Sequence, residues 1–422
     1  MTAFIGRLPR FAVAGLLAAT SIVALVSPAG AQTAPPFAAL LRQSTTAPRL
    51  AESEAEIERA QGVAEQARAR PNPTIGVLTE NVAGSSPYRG FNGAETTFQY
   101  SQPFEIGGKR SARIAAGEAG IVAARARDLD ARVTYAYDLA RAYAAAEISD
   151  RRIGLAEDEV EEATADLRAA RALVGAGKEA RLRSLQAETA IDALAAELDL
   201  AKANRIMAYA RLAALAGVEQ PYTGLSESLL DQDGSASIAV AIDPLQAPTY
   251  LSARAERDAA ERRVTAERKR TNADVTAVVG VRRLEFDNAT AAVAGVSIPL
   301  RIFDRNRGNI AASQAELRAA DARLAMARYD AQAAAQAGVA QLTAAYARVA
   351  AADTAMKTAY ETYRLARIAY QAGKSPLVEL LAARHGLGAA RGVVLDARIA
   401  RLEARASLAR LAGRTFAGEP IQ

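Results

Sequence analysis

Residues able to do covalent or metal chemistry are scarce in this chain. Its 422 residues include no Cys, no Trp and a single His, His385. Disulfides and thiolate metal sites are therefore excluded, and no carboxylate cluster has ligand spacing. His385 reads as an exposed helix residue, so no metal site is expected. No nucleophile–base pair stands out. Gly107-Gly108-Lys109 looks like part of a phosphate loop, but the full P-loop spacing is missing. The 47 acidic residues lie mostly in helical sequence, where chance pairs are common. The chain reads as a non-enzyme without a cofactor. Its formal net charge of +5 comes from interspersed charges of both signs, which suits solvated helix faces and not a nucleic-acid partner.

The elements that carry these residues are written twice. Ser101-Gln102-Pro103-Phe104 and Ser297-Ile298-Pro299-Leu300 lie 196 residues apart (101 to 297). Gly177-Lys178 and Gly373-Lys374 keep the same offset, and so do Leu212 to Gly217 and Leu408 to Gly413. Three landmarks of different character at one spacing indicate an internal duplication of a long folded unit.

The N-terminus reads as a secretory signal over 1–31. Arg7 and Arg10 precede an uncharged apolar run, Phe11 to Val26, and Ala29-Gly30-Ala31 offers a cleavage site. The run is short for a membrane span. No Cys follows the site, so no lipid acceptor is expected. After the signal, no uncharged apolar run is long enough to be a membrane helix. Aromatics make up 5% of the chain, and Ala is abundant. That composition suits long helices meeting through narrow apolar seams.

The first repeat is assigned to 32–217. It opens with an extended arm holding a short helix near Phe37–Gln43, then a helix over 51–69. Alternating apolar and polar residues predict a hairpin over 73–102. One helix should run from about Ser111 to Leu173 and a second from about Glu179 to Leu215. A linker, 218–243, separates this from the second repeat, 244–413, whose hairpin is expected at 272–298. A tail, 414–422, completes the chain. Four strands per chain cannot close a barrel, and open edges are a liability. The consistent solution is several chains pooling strands into a barrel with apolar residues toward lipid and polar residues inside. The fold class expected is mainly α with a small β part.

At this point the chain resembles the TolC-like outer-membrane efflux proteins over nearly its whole mature length. The resemblance implies a homotrimer, whose strands form a twelve-stranded outer-membrane barrel continuous with a periplasmic helical barrel. The breaks Val174-Gly175-Ala176-Gly177-Lys178 and Ala372-Gly373-Lys374-Ser375 are similar to the family's helix tips, which face a periplasmic adaptor. Glu379 stands where relatives often carry an Asp that rings the closing end, and its repeat mate is Arg183. Three copies of Glu379 facing inward would favour cations. The run Pro103-Phe104-Glu105-Ile106-Gly107-Gly108-Lys109-Arg110 resembles the heavy-metal branch, of cobalt–zinc–cadmium type. The function implied is the exit duct of a tripartite pump, in the outer membrane of a Gram-negative cell. Its partners would be the adaptor and a proton-coupled inner-membrane transporter of the RND type. Export of drugs or a secreted polypeptide is the alternative within this architecture. A periplasmic coiled-coil scaffold is the alternative outside it.

Overall fold

The computed structural model describes residues 32–43, 47–86, 88–232 and 242–421. The expected signal sequence and positions 233–241 of the expected linker lie outside the described residues. The described chain is mainly helical with a small sheet. In order it forms β1 (Thr33–Ala34), α1 (Phe37–Gln43), α2 (Pro48–Arg68), β2 (Thr74–Glu80), β3 (Glu95–Phe104), α3 (Lys109–Gly175) and α4 (Arg181–Ala216). It continues with β4 (Gly224–Leu225), α5 (Pro248–Lys269), β5 (Val275–Leu284), β6 (Ala289–Ser297), α6 (Arg307–Gln371) and α7 (Leu377–Leu411).

The two longest helices follow from the sequence. α3 has 67 residues and α6 has 65, with no Pro in either. At 1.5 Å per residue each is about 100 Å long. The shorter helices stack beside them. α2 and α4 both pack on α3, and α5 and α7 both pack on α6. α3 also touches α5 and α7. The result is a layer ordered α2-α3-α5-α6 at one end and α4-α3-α7-α6 at the other. Small residues line the contacts: Ala64, Ala123, Ala163, Ala170, Ala187 and Ala260 are all buried.

Four strands extend the α2 end. They form an antiparallel sheet ordered β2-β3-β5-β6, with β3 and β5 joining the two hairpins. One outer edge of β2 and one of β6 have no strand partner among the described residues. Register gives the sheet two characters. Ile75, Tyr100, Val279 and Ala294 stand opposite one another, as do Val77, Phe98, Val281 and Ala292. Most of these are exposed; Ile75 reaches 83%. The other face carries Thr97, Gln99 and Ser101. There Arg282 donates to Thr97 Oγ1 at 2.9 Å and to Glu95 at 2.8 Å, with Glu80 3.3 Å away. β3 runs two residues beyond the expected strand, through Pro103 to Phe104. The β2 ladder ends at Ser101, so Pro103 lies where that side of β3 is an edge and the missing N–H costs no bond.

The thickest core sits at mid-length. Leu139 and Tyr143 of α3, Leu212 of α4, and Leu229 and Leu230 pack with Phe37 and Leu40 of the N-terminal arm. The arm is more ordered than its prolines suggest: β1 pairs in parallel with β4. The described part of the expected linker is likewise folded. Glu147, buried, accepts the backbone N–H groups of Leu229 at 2.8 Å and Leu230 at 3.2 Å and takes a bond from Ser228. Arg401 holds the Leu230 carbonyl at 2.7 Å. Replacing Glu147 with Ala orphans two buried amides and strips Arg151 of an ion-pair partner. The expected cost is about 2–3 kcal/mol. Limited proteolysis should then cut within 222–232 markedly faster than in the wild type, and unchanged kinetics would refute this role.

Candidate functional site

Three regions carry the residues singled out from sequence: the strand-to-helix elbow, the helix tips, and the wall between them. At the elbow, Gly107 and Gly108 both take left-handed backbone, with φ of 70° and 78°. That reversal lets β3 turn into α3, and it sets the Gly107 carbonyl 2.9 Å from Asn272 Nδ2. Lys109 then reaches across the chain. Its ammonium lies 2.6 Å from Asp274 and 3.2 Å from the Asn272 carbonyl, with 10% of the side chain exposed. Arg110 donates twice to the Arg68 carbonyl, and Glu105 is clasped by Arg113. The motif therefore fastens the first elbow to α2 and to the start of β5. Each polar group has a protein partner, and no phosphate cradle is formed.

The tips have one geometry made twice. Lys178 N–H donates to the Leu173 carbonyl at 2.9 Å, and Gly177 N–H to Val174 at 3.0 Å. Lys374 N–H donates to Ala369 at 2.9 Å, and Gly373 N–H to Tyr370 at 2.9 Å. This paired closure needs a left-handed residue, met by Gly177 at φ 70° and Gly373 at φ 69°. Gly175, Ala176, Gly177 and Lys178 are exposed, as are Ala372, Gly373 and Lys374; Val174 and Ser375 are half-buried. Beneath the second tip, Tyr370, Leu377 and Leu380 are fully buried. Leu182, Leu185 and Val378 remain outside.

Glu379 and Arg183 are not brought together. Glu379 is exposed in the first turn of α7, at one end of a groove walled by Ala355, Thr358, Thr362, Ala366 and Gly386. It has no ion-pair partner among the described residues. Arg183 donates to Gln186, one turn further along α4, at 3.1 Å, and lies 3.7 Å from Glu179, just before that helix. His385 is exposed, and no group of His, Cys, Asp or Glu able to hold a metal occurs among the described residues.

Sequence reasoning missed a charged seam between α3 and α7. Glu162 binds Arg391 at 2.9 Å, and Asp166 lies 3.5 Å from Arg384. The Tyr363 hydroxyl donates to Asp166 at 3.4 Å. Glu159 occupies the space above Gly388, where a Cβ would stand 2.3 Å from its carboxylate. The signal was present: acids at 159, 162 and 166 and the set Arg384, Gly388 and Arg391 each follow one helix face. Asp166 is 1% exposed, and burial pushes its pKa up to about 6 despite the nearby Arg384, Tyr363 and Arg367. The folded state thus binds this proton more tightly than the unfolded chain. Its contribution is complete below about pH 4 and is lost as pH rises through about 6, up to about 3 kcal/mol in all. Hydrogen exchange over Leu377–Leu387, corrected for intrinsic rate, should show weaker protection at pH 7.5 than at pH 5. Asp166→Asn should flatten that difference, and a persisting difference would assign it elsewhere.

The chain as a whole is similar to known proteins. It is 41% identical to the nickel-cobalt-cadmium resistance protein NccC of Alcaligenes xylosoxydans xylosoxydans over 408 residues, which covers 96% of this chain and 91% of that one. It is 42% identical to the nickel and cobalt resistance protein CnrC of Cupriavidus metallidurans over 316 residues, 74% of each chain. A crystal structure of a membrane protein from Pseudomonas aeruginosa matches with a TM-score of 0.76 over 91% of both chains at 16% identity, a likeness of fold. The family described as outer membrane efflux protein matches residues 43–218 and 245–414, and the chain belongs to that family.

Proposed function

We propose that three copies of this chain form an outer-membrane exit duct that exports heavy-metal cations. One observation carries the reading: a four-stranded sheet, apolar on one face and polar on the other, unpaired at both edges among the described residues and continuous with helices about 100 Å long. Open edges cannot stay unsatisfied in lipid, so the strands of neighbouring copies would pair β6 to β2 and close a barrel. The apolar face then meets lipid. The polar face, with Arg282, Glu80 and Glu95, lines water. Glu105 continues that face into the helical layer, which curves around a cavity of about 1150 Å³. That cavity would be part of the lumen.

The same reading accounts for the other expectations. The recurring order of strand, strand, long helix and shorter helix fits a duplicated unit, with repeats over 32–217 and 244–413. The tips, exposed and built from small residues, are suited to close approach by a periplasmic adaptor, which would connect the duct to an RND-type transporter. An N-terminal signal over 1–31 without a lipid-bearing Cys would deliver the chain to the periplasm. The cargo is inferred from the relatives named for nickel, cobalt and cadmium resistance. Glu379, exposed near the second tip, would add negative charge at the entrance.

Deleting the gene should sensitise the host selectively to nickel, cobalt, cadmium or zinc, and a wild-type copy should restore tolerance. A Glu379→Ala copy should restore it only in part at equal protein level. Sensitivity to dyes and antibiotics alone would overturn the choice of cargo.

A further inference from the structure

The most exposed large apolar side chain of the described residues lies in neither the sheet nor the helices. Ladder pairing of β6 ends at Ser297, and α6 begins at Arg307. Between them Ile298 is 53% exposed, Leu300 81%, Ile302 60% and Phe303 98%. Their spacing continues a pattern. Ala292, Ala294 and Val296 belong to the apolar face of the sheet, and Ile298, Leu300 and Ile302 follow at the same two-residue interval. On β3, Phe98 and Tyr100 are followed at matching parity by Phe104 and Ile106, also exposed.

Positive charge accompanies this apolar run. Arg301, Arg305 and Arg307 stand on or beside the loop, and no ion pair or hydrogen bond engages their side chains among the described residues. Arg301 Nε is buried without a partner. The loop's own acid, Asp304, is engaged by the Asn306 backbone N–H at 2.9 Å. Apolar residues next to unpaired guanidinium groups match a lipid at its headgroup level, where acyl chain and phosphate are adjacent. Guanidinium also suits phosphate by its forked donors.

We propose that the loop Ile298–Arg307 seats an anionic phospholipid, in the leaflet on the helical side of the barrel; the inference rests on the barrel reading above. Leu300, Ile302 and Phe303 enter the acyl chains, and Arg301, Arg305 and Arg307 hold the phosphate. A second copy of the chain is the competing occupant. It would pair along the edge of β6, in the plane of the sheet, whereas Ile298 and Leu300 keep the parity of the sheet's apolar face before the chain turns, with the Ile302 N–H donating to the Leu300 carbonyl at 3.1 Å.

The chain has no Trp, so Phe303→Trp introduces a single reporter at a position with no packing to disturb. The full-length variant is reconstituted in phosphatidylethanolamine vesicles that contain either brominated phosphatidylglycerol or brominated phosphatidylcholine at equal fraction. Blue-shifted emission is expected, quenched by bromine at least about twofold more from the anionic lipid. Adding Arg305→Gln and Arg307→Gln should bring the two lipids level. Water-like emission would overturn the proposal. So would blue-shifted emission that bromine cannot quench, which would place Phe303 against a second copy. Equal quenching by both lipids without the Arg changes would overturn the headgroup assignment. Phe98→Trp, on the apolar face of the sheet, separates the two levels of inference. If it is quenched and Phe303→Trp is not, the loop proposal fails and the barrel stands. If neither is quenched, the barrel reading itself fails.

Discussion

Close approach of long helices through alanine is the constraint on which this molecule depends. A helix of about 100 Å cannot be held by one compact core. It must be held along its length by many weak contacts, and each contact must leave room for the next helix. Ala60, Ala64 and Ala67 on α2, Ala163 and Ala170 on α3, and Ala259 and Ala260 on α5 do this. Small side chains let axes approach within the lower part of the usual 8–10 Å range. Larger side chains appear where several segments converge, as at Tyr143, Leu139 and Leu212, or beneath a tip, as at Tyr370 and Leu377. A layer one helix thick therefore persists without a globular interior, which leaves a concave face free.

Alanine contacts specify little about register, since one methyl group resembles another. The charged seam between α3 and α7 supplies what they lack. Glu162 meets Arg391 and Asp166 meets Arg384, so a shift of one turn would leave buried charges unpaired. Gly388 gives Glu159 its space, which a neighbouring side chain would fill. The elbow works in the same way. Lys109 and Asp274 fix where the first hairpin's helix begins relative to the second hairpin's strand. Polar pairs at two distant points thus align helices that apolar packing alone would let slide.

Much of the fold was legible because its signals are local. Prolines and glycines mark the breaks, period-two alternation marks β2, β3, β5 and β6, and unbroken Ala-rich runs mark α3 and α6. The Gly-Lys pairs at 177–178 and 373–374 announced two equivalent reversals, and the backbone bonds there match pair by pair. What sequence did not reveal depends on which residues meet across long separations. The joining of β3 to β5, the folding of Tyr222 to Leu230 onto α3, and the Asp166–Arg384 contact all link residues far apart in the chain.

The Gly107-Gly108-Lys109-Arg110 motif bears on where specificity resides. It resembles the heavy-metal branch in sequence, yet every group in it fastens the elbow: the glycines turn the chain, Lys109 bridges to Asp274, and Arg110 holds Arg68. A signature of this kind can track ancestry without touching cargo.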